Sequence, residues 1–177
     1  MHVAFYRNLN LGHPGSPTRA QLEGALRDAG ADGVRSFQTN GTVLIVASDP
    51  LAVVRAAADG LAAACGYGDA VQVRTVAGLE ALLHAGHFDG HVDERTYRET
   101  FTFFEGGRTP EWPLPWTNPR GDVDIVHIGD GTALAVVRKP GNTAGNPTAM
   151  LERETGGVAT TRTRGSIERL LAAAASW

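Results

Sequence analysis

The sequence predicts an α+β protein, and three observations predict it. Apolar runs and amphipathic helical stretches alternate over residues 2–76 in the order β-α-β-β-α-β, the ferredoxin-like pattern. Beyond residue 77 the chain is rich in strands and turns, and clear helices return only after Asn146. The 177 residues are 42% hydrophobic, enough to bury a sizeable core without disulfides or a structural metal. No low-complexity linker separates the halves, so the expectation is a first unit over 1–77 and a second α+β unit over 78–177, closely packed on the first.

Each element has a local reason. Residues 2–8 are apolar and run into turn residues, as a buried strand does. Ser16-Pro17-Thr18 predicts a helix start with Ser16 as cap and Pro17 in the first turn. Leu22 and Leu26 mark the buried face, and Ala29-Gly30 ends the helix. Val34 to Phe37 is a short strand, and Asn40-Gly41 is the strongest hairpin signal because both residues tolerate positive φ. Thr42 to Ala47 reads as a strand buried on both faces. Asp49-Pro50 opens a second helix that runs to Cys65, and Val71 to Val76 alternates as a half-exposed strand.

In the second half a short helix is expected near 77–85 and a strand over 97–104. Residues 110–119 hold four of nine prolines with Trp112 and Trp116, which excludes a helix or an inner strand. A proline-braced aromatic plug over the core fits that segment better than a base-stacking groove. Residues 123–128 and 132–138 form a hairpin around Gly129-Asp130-Gly131. Asn146 caps a helix that ends at Gly156-Gly157, Val158 to Thr161 is extended, and 165–175 is the last helix.

The formal net charge of −3 argues against nucleic-acid binding driven by bulk charge, although residues 138–169 carry six cations against three acids. The single cysteine, Cys65, lies in an apolar run and reads as a buried thiol rather than a nucleophile. Arg7 and two Asn interrupt the first apolar run, so no signal peptide is expected. No apolar stretch approaches the ~18 residues of a membrane helix, and the expected location is cytoplasmic.

Three stretches carry candidate chemistry. Arg7, Asn8 and Asn10 follow the first strand, where a planar guanidinium fork suits a carboxylate or phosphate. Asn40 and Thr42 stand at the start of the most buried strand. If the first and third strands pair antiparallel, these two stretches converge. Thr160 to Ser166, with Arg162 and Arg164, enters the last helix and brings hydroxyls, cations and free N–H groups to a helix N-terminus. Thr163 or Ser166 would be that helix's cap. His84, His87 and His91, near Asp89, Asp93 and Glu94, have metal-ligand types, but Gly86 and Gly90 break the helix that would align them. A solvated loop is the default there. No P-loop, nucleophile-elbow or Rossmann glycine pattern appears, and no cofactor is expected.

Laid out in order, these stretches resemble the bacterial family catalogued as domain of unknown function 1697. Its first motif is a strand followed by Arg-Gly-Ile-Asn-Val-Gly-Gly, onto which Arg7, Asn10 and Gly12 fall. Its Arg-Thr-Tyr-Ile-Gln-Ser-Gly-Asn-Val-Val-Phe segment matches Arg35 to Ile45 without a gap. Its Thr-Thr-Arg-Asn-Trp-Asn-Thr-Val motif survives as Thr160, Thr161, Arg162, Ser166 and Ile167. The resemblance implies a pair of ferredoxin-like units and no known reaction. Asn8 and His13 replace two of the family's glycines, Thr42 replaces its Asn, and Thr163-Arg164-Gly165 replaces Asn-Trp-Asn.

The functional expectation is a small, anionic ligand bound in a polar cleft between the two units by Arg7, Asn8, Asn10, Asn40, Thr42, Arg162 and Arg164. Were the site catalytic, its chemistry would be cofactor-independent acid–base or hydrolytic work. Arg7 would stabilise negative charge and His13 would move protons. Two other readings stand beside it. One is a nucleic-acid module using the 138–169 basic stretch, and the other is a partner-binding protein without catalysis.

Overall fold

The computed structural model describes residues 1–177, which divide into a unit of Met1–Gly78 and a unit of Leu79–Trp177. The first unit runs β1 (His2–Tyr6), α1 (Arg19–Asp28), β2 (Gly33–Phe37), β3 (Thr42–Val46), α2 (Pro50–Cys65) and β4 (Val71–Thr75). Its antiparallel sheet has the order β2-β3-β1-β4. The β-α-β-β-α-β order of the sequence is therefore the order of the fold.

Leu22 and Leu26 of α1 and Val53, Ala57 and Leu61 of α2 pack against Ala4, Tyr6, Val43 and Ile45 of the sheet. Each leucine so buried contributes roughly 1.5–3 kcal/mol. The cap of α1 is Thr18, not Ser16. The Thr18 side chain accepts from Gln21 N while the Gln21 side chain accepts from Thr18 N. Threonine followed three residues later by glutamine satisfies two orphan donors at once, which Ser16 in front of Pro17 cannot. The α2 helix starts as expected, with Asp49 accepting from Ala52 N, and ends at Gly66 with φ 76°. On β4 Val71 and Val73 pack on the core, half-buried, as the alternation predicts, but Gln72 on the opposite face is covered too and only 2% exposed. Cys65 is half-buried, and its Sγ–H donates to Leu61 O.

After α3 (Val76–His84), the second unit runs β5 (Thr96–Glu105), β6 (Trp116–Thr117), β7 (Val123–Gly129), β8 (Thr132–Arg138), α4 (Pro147–Thr155), β9 (Val158–Thr163) and α5 (Arg164–Ala175). Its antiparallel sheet is ordered β6-β7-β8-β5-β9. Without the two-residue edge strand β6, the order β7-β8-β5-β9 repeats that of the first sheet, strand for strand. The difference lies in the first crossover, where the proline-rich segment replaces the helix of a complete ferredoxin-like unit. Proline lacks the N–H that a crossover helix needs, so this stretch lies as coil with only Trp116 and Thr117 paired to the sheet. Trp112 and Trp116 stack at 4.0 Å and pack on the core formed by Val123, Ile125, Met150 and Leu151.

The β7–β8 turn places Asp130 and Gly131 at φ 47° and 66°, the pair of positive values that a tight hairpin requires. No helix is long and apolar enough to cross a membrane.

Candidate functional site

The first two candidate stretches meet. β1 and β3 pair antiparallel with Phe5 opposite Thr42, so the loops after β1 and before β3 are neighbours. Tyr6 N donates to Gly41 O at 2.8 Å and Leu11 N to Thr39 O at 2.7 Å. Gly41 has φ 69°, and a Cβ there would lie 2.9 Å from the Cβ atoms of both Tyr6 and Leu9. Its place is thus set by close packing. The turn puts Gln38 and Gly41 at positive φ, rather than Asn40 and Gly41.

The Arg7 fork closes on an acid. Its Nη1 lies 3.0 Å from Asp69 Oδ2, and Asn8 Nδ2 donates to the same oxygen at 2.8 Å. Tyr67 OH donates to Arg7 O at 2.6 Å. Burial raises the Asp69 pKa, but the Ala70 N–H, the Asn8 amide and the Arg7 guanidinium outweigh it and hold this carboxyl below its ordinary value. Asn10 takes part through its backbone, its N–H donating to Ser16 Oγ and its carbonyl accepting from His13 N. His13 is exposed and Thr42 is buried. Asn40 Nδ2 donates to Gln38 Oε1 at 3.3 Å.

The third stretch splits by strand register. Arg162 is buried, donating to Thr160 Oγ1 and Thr161 O, both at 2.9 Å. Thr163 is the cap of α5, its hydroxyl accepting from Ser166 N. Arg164 pairs with Glu99 and with Glu168, and hydrogen bonding to Glu99 raises its pKa.

The β5–β9 register sets Thr100 opposite Thr163 and Thr102 opposite Thr161, all four on one sheet face by the two-residue period. Thr148 of α4 leans over them, so that the Thr102, Thr161 and Thr148 hydroxyls form a chain with links of 2.8 and 2.6 Å. Tyr97, Arg98, Thr100, Thr148, Thr161 and Thr163 line a hollow of about 320 Å³ there. A second hollow of the same size adjoins it at the first turn of α5, where Arg98 and Thr163 also line the wall beside Glu99 and Arg164. The Arg98 guanidinium lies 4.6 Å above the Tyr97 ring and donates to its hydroxyl at 2.9 Å. Lys139 Nζ lies 5.5 Å from that ring.

Arg98 and Thr148 were not singled out from the sequence. Alternation along β5 would have put Arg98 and Thr100 on one face, but nothing local pairs that strand with β9.

The histidines do not converge on a metal. No group of three or more His, Cys, Asp or Glu is placed to hold one. The His87 ring instead lies 4.1 Å from the His127 ring, tilted by 32°, and burial, with His87 adding to it, lowers the His127 pKa. The 138–169 cations are largely paired. Arg138 meets Asp93 at 2.6 Å and Asp124 at 2.8 Å, and Arg153 meets Glu154 at 3.1 Å.

The family model that matches residues 1–133 is described as a protein of unknown function (DUF1697). No curated protein matches the chain. A solved structure, the conserved bacterial protein SP0830 from Streptococcus pneumoniae, is similar at a TM-score of 0.59. It is 13% identical, and the match covers 96% of each chain, which establishes likeness of fold alone.

Proposed function

This chain belongs to the DUF1697 family of proteins of unknown function, which hands down no reaction, and from its own geometry we propose that it binds a small anion. The ligand class is a carboxylate or phosphate, and the place is the threonine-lined hollow of the second unit. The observation that carries this reading is Arg98. It lines both adjoining hollows, and its side chain makes its hydrogen bond to the neutral Tyr97 hydroxyl rather than to a carboxylate. Arg164, by contrast, is held by Glu99 and Glu168.

An anion against Arg98 would also meet the Thr161 and Thr163 hydroxyls and the first turn of α5, whose unpaired N–H groups and macrodipole favour negative charge. At Arg7, an anion would have to displace Asp69 from a guanidinium and an amide that it already satisfies. That loop reads as a brace on the end of β1.

The test is calorimetric titration at low salt with inorganic phosphate and with malonate. Arg98→Ala removes a charge-assisted contact of roughly 1.5–3 kcal/mol, so binding should fall about 10- to 100-fold. Arg7→Ala should leave it unchanged. Equal affinity in Arg98→Ala and the unmodified protein would sink this assignment.

A further inference from the structure

A third cavity of the second unit, about 500 Å³, shares only Asn146 with the threonine-lined hollow. Its wall contains a buried acid. Asp122 is 2% exposed at the turn between β6 and β7. Asn118 clasps it from one side, with Oδ1 accepting from the Asp122 and Val123 N–H groups and Nδ2 donating to Asp122 Oδ1 at 2.7 Å. The Asp122 carbonyl accepts from Arg138 N. Gly145 lies so close that a Cβ there would sit 2.2 Å from the same oxygen. The backbone around this carboxylate is fixed on every side.

Its second oxygen is not satisfied. Asp122 Oδ2 is buried and receives no hydrogen bond. Arg120 Nε lies 3.0 Å away as an ion-pair partner without a hydrogen bond to this oxygen, and the Arg120 side chain is 68% exposed. A buried carboxylate oxygen without a hydrogen bond is unfavourable, and an exposed guanidinium offsets that only in part. An asparagine would keep the acceptor for Asn118 without burying a charge, so the turn alone does not explain the acid.

The rest of the cavity says what would. Met150 gives it an apolar floor and Pro119 an apolar edge, while Arg120 and Arg153 stand exposed at its mouth, Arg153 paired with Glu154 at 3.1 Å. A negative end inside and cations at the rim suit a ligand with the opposite arrangement. We infer that this cavity binds a small zwitterion of the α-amino-acid type. Its ammonium group donates to Asp122 Oδ2 in place of Arg120, and its carboxylate meets the released Arg120 and takes the place of the exposed Glu154 contact on Arg153. The volume lies in the range of small-molecule sites.

The experiment follows backbone amide resonances of the full chain during titration with glycine and with ethylamine. Glycine should shift the Asp122, Val123 and Ala149 amides and leave Thr161 and Thr163 in place. Ethylamine should move the same amides at several-fold higher concentration. Asp122→Asn should weaken both by tenfold or more, and Arg153→Ala should weaken glycine but not ethylamine. Ala149 is an exposed lining residue, so Ala149→Phe can fill the cavity without disturbing the Asn118 turn, and it should abolish both titrations even where Asp122→Asn does not fold. Failure of both probes at tens of millimolar overturns the inference. So does unchanged affinity in a folded Asp122→Asn or in Ala149→Phe.

Discussion

At Asp69 burial and hydrogen bonding pull in opposite directions, and hydrogen bonding wins. The folded pKa lies below that of the unfolded chain, so this carboxylate's contribution is fully present above the ordinary value of about 4. It is lost as pH falls through the lower folded value. Asp69→Asn should cost about 1 kcal/mol at neutral pH and flatten the acid limb of the stability curve, below the ordinary carboxylate value of about 4. Denaturant unfolding at a series of pH values checks it, and a curve of unchanged slope would contradict the assigned partners. Arg7 also marks how far single residues could be read from the sequence. Its type, at the end of an apolar strand, suits an anionic partner, and in the fold that partner is a side chain of the same chain rather than a ligand. That the anion is Asp69, sixty-two positions away, depends on the pairing of β1 with β4, which no local pattern encodes.

Elements were legible where their signals are local, and displaced where two signals compete. Asp49-Pro50 and Asn146-Pro147 each put a cap directly before a first-turn proline, and both helices start there. Ser16-Pro17 offers the same pattern, yet the cap of α1 falls two residues later, because Thr18 finds Gln21 three residues on. Ser16 Oγ is occupied instead as the acceptor for Asn10 N. The two substitutions therefore separate the readings. Thr18→Ala removes the cap and should destabilise by about 1 kcal/mol, whereas Ser16→Ala, which touches only an exposed loop bond, should cost a few tenths. Midpoints of chemical denaturation at constant m decide between them, and a larger loss for Ser16→Ala would restore that residue as the cap. Gln72 departs for another reason: Val71 and Val73 face the core, so alternation predicts an exposed side chain between them, yet the opposite face of β4 is buried as well. Period-two patterning says which residues share a face, but not which face is wet.

Across the whole chain, the topology was readable for residues 1–78 and hidden beyond them. The second unit keeps the strand order of the first but spends its first crossover on prolines, so the helix that would have announced the repeat is missing. The candidate sites divide along the same line. The stretches visible as motifs, Arg7 to Asn10 and Asn40 to Thr42, are tied up in β1–β3 and β1–β4 closure, whereas the hollows with unspent polar groups form where β5 meets β9 and where α4 meets the β6–β7 turn. Hydrogen exchange on the full chain can therefore test the functional picture in one measurement. A ligand that binds the folded state raises the opening free energy of the amides around it in proportion to ln(1 + [L]/Kd), which at a hundredfold excess over Kd is about 2.7 kcal/mol. Phosphate should slow exchange in β5, β9 and the first turn of α5, and leave β2 and β3 as they were. Because the amides of β1 to β4 report on a separate compact unit, they serve as the internal control. Protection that appeared first in β1 and the loop after it would return the anion to Arg7 and remove it from Arg98.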